Sequence, residues 1–214
     1  MRYLIVCGGK IDKEFGLNEI KTDGIDAIIA ADSGMDFLYE NSVTPDIIVG
    51  DFDSATTKAL EFFERKGQTE IHRLNPIKDD TDTEYAIRLA ISEGARSIVM
   101  LGATGSRIDH VLGNISLLGI GLESGTDISI IDTNNRIRMA DKPVTIEKSA
   151  QYGRVVSLIA LTDDNEVSLK GFKYPVTDYS FDRFTSLGIS NEIVDDHALI
   201  DIHRGKFIII ESKD

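Results

Sequence analysis

Two aspartates stand one residue apart in PDIIVGDFDSATT, residues 45–57, at the end of an apolar run. Isolated carboxylates that close repel each other and gain nothing from a core, so Asp51 and Asp53 call for something positive between them. Asp82 in KDDTD (78–82) is a third carboxylate of the same kind. Mg²⁺ is the usual partner of such a set, because it takes hard oxygen ligands and bridges to phosphate. Capping of a helix N-terminus accounts for Asp53 or Asp82 taken singly. It accounts less well for all three.

GATGSR (102–107) offers the complementary chemistry. Glycines between a strand and a helix let backbone N–H groups approach a phosphate, and the helix N-terminus favours the anion. Arg107 adds a fork for phosphate oxygens. The stretch is neither GxGxxG nor GxxxxGK[ST], so it supports neither a dinucleotide enzyme nor a P-loop kinase, and a plain tight turn explains it equally well. The four histidines, at 72, 110, 197 and 203, show no metal-ligand spacing, although His110 beside Asp109 can reach the same region. No Ser-His-Asp or Cys-His arrangement is visible. With no Trp in the chain, stacking on a ligand falls to Tyr or Phe, for example Phe172 and Tyr174 in GFKYP; packing into a core accounts for both as well.

The elements that must carry these residues follow from apolar spacing. Strands are predicted over 2–9, 26–32, 46–51, 69–75, 97–105 and 127–132, with helices over 33–42, 56–67, 81–94 and 107–125. Thr81 and Glu84 read as a capping box, and Gly67 and Gly94 as helix stops. Continuous apolar strands interleaved with helices argue a mostly parallel sheet covered on both faces. In such a sheet ligands bind outside the carboxyl ends of the strands. Gly8–Lys10, Asp32–Gly34, Asp51 and Asp53, Lys78–Asp82 and Gly102–Arg107 all fall there. After residue 133 the segments are short, often alternating and non-helical, which predicts an all-β sandwich. The expected fold class is α/β followed by β-sandwich, with domains at 1–132 and 133–214.

With 214 residues the chain is long enough for such an arrangement. The formal charge is −13, and residues 1–125 carry 12 basic against 21 acidic side chains, so the acid gathers in the first part. A chain this acidic has no electrostatic footprint for nucleic acid, and instead suits cations. No apolar run approaches the ~18 residues of a membrane span. The start, MRYLIVCGGK, has too short an apolar core for a signal peptide, and Cys7, the sole cysteine, cannot pair internally. A cytoplasmic, reduced protein with Cys7 as a small buried hydrophobe is expected.

Taken in order, ADSG (31–34), GDFDS (50–54), KDDTD (78–82), GATGSRIDH (102–110) and SLGISN (186–191) resemble the thiamine pyrophosphokinase family over nearly the whole chain. The resemblance implies an N-terminal α/β domain that binds ATP and a C-terminal β-sandwich that binds thiamine, in a homodimer with thiamine held where subunits meet. It implies transfer of a pyrophosphoryl group from ATP to thiamine, with release of AMP. It places Asp51, Asp53 and Asp82 as the Mg²⁺ set, and these with Arg107 as the catalytic residues. Asp32, Lys78, Thr81, Thr104, Arg107 and Asp109 become nucleotide contacts, and Tyr174, Ser190 and Asn191 thiamine contacts. The chain departs from the family at Ala103 and Ser106, where many members have glycine, and at Ile77, where bacterial members often have Glu. Two other readings stand beside this one. A haloacid-dehalogenase-type phosphatase also ends a strand in DxD, but on the first strand of its domain rather than the third. A non-catalytic nucleotide or thiamine sensor would need the same ligands without the chemistry.

Overall fold

The central apolar runs of the first half become strands whose residues are buried on both faces, as in β1 and β5, whereas the edge strand β4 is half-exposed. The computed structural model describes residues 1–52, 56–75 and 80–214, with the main chain alone of Thr57. The chain divides into two compact units, Met1–Thr133 and Asn134–Asp214.

The first unit contains β1 (Arg2–Val6), α1 (Lys13–Ile20), β2 (Ala27–Ala31), α2 (Gly34–Glu40), β3 (Ile47–Gly50), α3 (Thr57–Lys66), β4 (Glu70–Arg73), α4 (Asp82–Ser92), β5 (Ser97–Leu101), α5 (Ile108–Ser124) and β6 (Asp127–Ile131). Its strands pair in parallel in the order β6-β5-β1-β2-β3-β4. The chain lays β1 to β4 down in one direction and then crosses back to add β5 and β6 on the other side of β1. The crevice between β1 and β5 is therefore where strand order reverses, the place where open α/β sheets bind ligands.

Side-chain alternation sends Leu4, Val6, Ala30, Ile48, Val99 and Leu101 to one face, where Met35 and Leu38 of α2 and Phe63 of α3 cover them. The opposite face of β1 meets α4. There Tyr3 donates its hydroxyl to Glu93 Oε2 at 2.8 Å, and Thr83 donates to the Cys7 thiol sulfur at 3.8 Å. Helix α1 is an element that the apolar spacing does not announce. Asp12 caps it by accepting from the Phe15 N–H at 2.9 Å, and Phe15, Ile20 and the buried Gly16 set it against the core. At the starts and ends of the other helices local chemistry acts as expected. Gly67 and Gly125 end α3 and α5 in the left-handed conformation. The capping box of α4 is half made: Thr81 accepts from the Glu84 N–H at 3.2 Å, whereas the Glu84 carboxylate turns to Arg88.

The second unit holds β7 (Asn135–Ala140), β8 (Val144–Glu147), β9 (Val155–Ala160), β10 (Glu166–Lys170), β11 (Val176–Ser180), β12 (Asn191–Glu192), β13 (His197–Arg204) and β14 (Phe207–Ser212). Antiparallel pairing gives one layer in the order β12-β9-β14-β7 and another in the order β11-β10-β13-β8. Val156, Leu158, Phe207 and Ile209 of the first layer join Ile146, Val167, Leu169, Ala198 and Ile200 of the second in one core. This is the expected sandwich.

One buried charge stands out in this unit. Glu211 on β14 is fully buried and takes two hydrogen bonds from Arg136 at 2.8 Å, one from Arg138 at 2.9 Å and one from the Tyr152 N–H at 2.9 Å. Breaking a buried pair leaves the surviving charges uncompensated, at a typical cost of about 3–5 kcal/mol. Glu211→Ala is therefore expected to lower unfolding free energy by that amount in a denaturant titration, more than a surface Glu→Ala change elsewhere.

Burial also pushes the Cys7 thiol from its ordinary 9.0 up to about 12; for Tyr3, burial and then the Glu93 contact raise the hydroxyl from 10.0 to about 12. Both groups stay protonated in the native state at pH values where the unfolded chain has lost the protons. Their contribution to stability is complete below pH 9 and is lost as pH rises towards 12. The melting temperature should fall steadily above pH 9, and Cys7→Ala should flatten that fall. Iodoacetamide at pH 8 should leave native Cys7 unmodified by mass spectrometry.

Candidate functional site

Four strand ends and two helix starts converge around the strand-order reversal. Beyond β1, the Gly9 N–H donates to the Gly102 carbonyl at 2.9 Å. A Cβ on Gly9 would run into the carbonyl oxygens of Gly102 and Thr104, so only glycine lets the two loops touch. The turn after β5 is tied twice more. Asn114, one face of α5 along from Arg107, donates to the Ala103 carbonyl at 2.8 Å, and the Thr104 hydroxyl donates to Asp132 Oδ2 at 2.9 Å. Ala103 is buried and Ser106 exposed, and both line the adjoining cavity. These contacts shape one wall of a cavity of about 820 Å³. Gly8–Lys10 and Thr81–Glu84 line it on other sides, and Val111, Asn114 and Leu117 carry it along α5. The volume is that of a site for a small-molecule ligand.

The carboxylates gather beside this cavity. Asp32, Asp51 and Asp82 each place an oxygen within 4.8 Å of the others, and each is half-buried. Asp32, expected among the nucleotide contacts, thus stands with two of the expected metal ligands. Asp53, the third expected ligand, lies outside the described residues, as does Lys78. Two of the loops are held in a costly conformation. Asp32 has φ 47° and Phe52 φ 65°, left-handed values that non-glycine residues adopt only where surrounding contacts enforce them. The Asp32 N–H donates to the Val49 carbonyl at 2.8 Å and its carbonyl accepts from Met35 N–H at 3.2 Å, which fixes the turn from β2 into α2. An all-oxygen, all-anionic set at this spacing fits a hard divalent cation such as Mg²⁺ and not a softer metal that needs sulfur or nitrogen.

Positive charge lines the same cavity as Asp32 and Asp82. Lys10 and Arg107 line the cavity. Arg107 precedes the first turn of α5 and forks onto Asp109, at 3.2 Å through Nε and 2.5 Å through Nη2. That contact holds the Asp109 carboxyl below the usual carboxylate range and raises the guanidinium further. Five N–H donors on Arg107 leave three after this pairing, enough to grip a phosphate. Thr81 uses its hydroxyl oxygen on the Glu84 N–H, so its hydrogen can turn to a ligand. Thr104 also lines the cavity, with its hydroxyl proton directed at Asp132. The expectation for Cys7 holds, since it is buried in the cavity floor with a raised thiol.

In the second unit, Asn191 and Tyr174 meet but do different things. Asn191 is buried, and its amide accepts from the Tyr174 N–H at 3.0 Å and donates to the Tyr174 carbonyl at 2.9 Å. It holds the main chain behind the ring. The Tyr174 ring is 61% exposed with Lys173 Nζ 5.6 Å from its centre, whereas neighbouring Phe172 is core. Ser190 sits at φ 64°, with its N–H donating to Ser157 Oγ at 3.1 Å. Phe184, Leu187, Ile189 and Val194 present further apolar surface from the flanking segments. Sequence reasoning placed Lys10 at the ligand edge but did not single out Asn114 or Asp132. A helical stripe at 107, 111 and 114 was the signal for Asn114; nothing local marks Asp132.

The model of the thiamin pyrophosphokinase catalytic domain matches residues 21–130, and that of the thiamin pyrophosphokinase vitamin B1 binding domain matches residues 143–207. Thiamine pyrophosphokinase of Bacillus subtilis (strain 168) is 34% identical over 188 residues, covering 87% of each chain. A crystal structure of thiamine pyrophosphokinase from Bacillus subtilis superposes with a TM-score of 0.88 at 30% identity over 100% of both chains. One of thiamin pyrophosphokinase from Geobacillus thermodenitrificans gives 0.86 at 28%, over 100% of this chain and 98% of the other. Yeast thiamin pyrophosphokinase, at 18% identity and a TM-score of 0.80 over 98% and 85%, shares the fold. Matched in both of its units and along the length of these relatives, the chain belongs to the thiamin pyrophosphokinase family.

Proposed function

We propose that this chain transfers the diphosphoryl group of ATP to the hydroxyethyl oxygen of thiamine, giving thiamine diphosphate and AMP. The observation that carries the reading is the cavity at the strand-order reversal, with an acidic triad beside it and a glycine-rich turn and Arg107 in its lining. The new bond joins the thiamine oxygen to the β-phosphorus. The bond from that phosphorus to the oxygen bridging it to the α-phosphorus breaks, AMP leaves with that oxygen, and the alcohol proton passes to solvent.

Phosphoryl transfer asks mainly for positioning and for neutralisation of spread charge. The turn Gly102–Arg107 and the start of α5 direct N–H groups at the triphosphate, and Arg107 steadies it, presented by Asp109. Lys10 adds a second positive charge, and Thr81 a hydroxyl donor. Asp32, Asp51 and Asp82, with Asp53 in the loop of Asp51 by sequence, would hold Mg²⁺, and Lys78, in the loop of Asp82 by sequence, would contact the phosphates. When bound, that ion would screen the charge of the phosphates and of the AMP leaving group.

Thiamine carries a fixed positive thiazolium, which suits an acidic chain. Its aromatic ring finds a platform in exposed Tyr174, with Ser190 and Asn191 supporting that surface. The apolar side chains around it, 86% exposed at Phe184 and 60% at Leu187, support a homodimer in which a second copy covers them. No helix of the described residues is long and apolar enough to cross a membrane. The single buried cysteine supports a cytoplasmic setting. Neither the phosphatase nor the sensor finds support among the relatives, all of which are named for pyrophosphokinase activity in the comparisons above.

Purified protein given thiamine, ATP and Mg²⁺ should form thiamine diphosphate and AMP in equal amounts, read by chromatography. ADP with thiamine monophosphate would make it an ordinary kinase, and no product would favour the sensor. Asp51→Asn and Asp82→Asn should each lower turnover by about 10²-fold or more, the scale of losing a preorganised electrostatic element. A covalent phosphoaspartate on Asp51 would instead establish the phosphatase.

Tyr174→Ala should weaken thiamine binding by roughly 1–3 kcal/mol, the range for ring stacking on an aromatic side chain, and leave ATP binding close to unchanged. Calorimetry with each substrate separates the two. An unchanged thiamine affinity would remove Tyr174 from the site.

A further inference from the structure

Carboxylates within 4.8 Å of one another push their loops apart, so those loops must be tied. Ties at the near ends are main-chain bonds: Asp32 N–H to the Val49 carbonyl at 2.8 Å, and Leu74 N–H to the Gly50 carbonyl at 2.9 Å. The stretch that begins at Asp51 ends at Thr56, and its far end is tied differently. Asp36, in the first turn of α2 and half-buried, accepts from the Thr56 N–H through both carboxylate oxygens, at 3.3 and 3.2 Å. The Thr56 hydroxyl also bonds to Asp36.

Thr56 is the N-cap residue of α3, where a threonine ordinarily accepts from the first turn of its own helix. It makes no such bond. The cap is given up for a cross-link to α2, the helix that starts two residues after Asp32. Helix α3 starts without that side-chain bond, and its N-cap residue is joined to α2 instead.

We propose that Asp36 is a positioning residue for the metal-binding carboxylates, acting through Thr56 to keep the loop of Asp51 in register with Asp32. This rests on the metal reading of Asp32, Asp51 and Asp82 above. Asp36 needs to be an acceptor more than a charge: an amide oxygen in its place still receives the Thr56 hydroxyl or N–H.

The test is Mn²⁺ binding to the protein without nucleotide, followed by electron paramagnetic resonance, beside the Mg²⁺ concentration that half-saturates AMP formation. Partners that orient metal ligands typically contribute about 10-fold or more to affinity. Asp36→Ala and Thr56→Val should each weaken Mn²⁺ binding about tenfold and raise the half-saturating Mg²⁺ in step. Turnover at saturating Mg²⁺ should stay near that of the parent. The double variant should be no worse than either single one, because both remove the same link. Asp36→Asn and Thr56→Ser should stay close to the parent. If the Ala and Val variants melt earlier yet bind Mn²⁺ normally, Asp36 is only a brace and the inference fails. An equal loss in Asp36→Asn would make it a long-range charge effect, which also overturns it. A parent protein that binds no Mn²⁺ removes the metal reading itself, and the inference with it.

Discussion

Mutual repulsion among carboxylates is the constraint around which the first unit is organised. Asp32, Asp51 and Asp82 come from three separate loops, and in isolation each would drift towards solvent. A parallel sheet solves this because all its strands deliver their ends to one edge, and its main-chain ladder is indifferent to what those ends carry. The cost appears as left-handed backbone at Asp32 and Phe52 and as a helix cap surrendered at Thr56. Strain of this kind persists only where the surrounding packing over-determines it. Here Met35, Leu38 and Phe63 are fully buried in the core cluster against which Phe52 packs.

The reversal of strand order then decides where positive charge and backbone donors stand. Because β5 returns to the far side of β1, the glycine-rich turn faces the acidic loops across β1 instead of lying beside them. The Gly9 and Gly102 loops touch main chain to main chain, which leaves no room for side chains between them. Asn114 and Asp132 lock the turn from behind. The cavity lining thus brings Lys10 and Arg107 together with the carboxylates of Asp32 and Asp82.

The second unit rests on different physics. Its two layers meet through an apolar core, and its one fully buried carboxylate, Glu211, is surrounded by donors on β7 and after β8. Rigid layers allow a short segment to be displayed with care. Asn191 takes both main-chain groups of Tyr174 and so leaves the ring outside. The same amide, placed on a loop without the β9 partner strand, would have no fixed direction.

Much of this was legible in the chain itself. Apolar runs that end in glycine or acid gave the parallel strands and their ligand edge, because side-chain burial on both faces leaves no other pattern. The loss of helical spacing after residue 133 gave the sandwich, and Gly67 marked a helix end because a left-handed residue is needed there. Helix α1 was not legible, since its weak apolar face leaves only the Asp12 cap as a signal. Nor was the partnership of Asp32 with Asp51, nor the bond of Thr104 to Asp132 and that of Thr56 to Asp36. Sequence determines which groups each loop carries and how far along the chain they lie. Which of them come within hydrogen-bonding reach depends on strand order and register, a property of long-range pairing that local spacing does not encode.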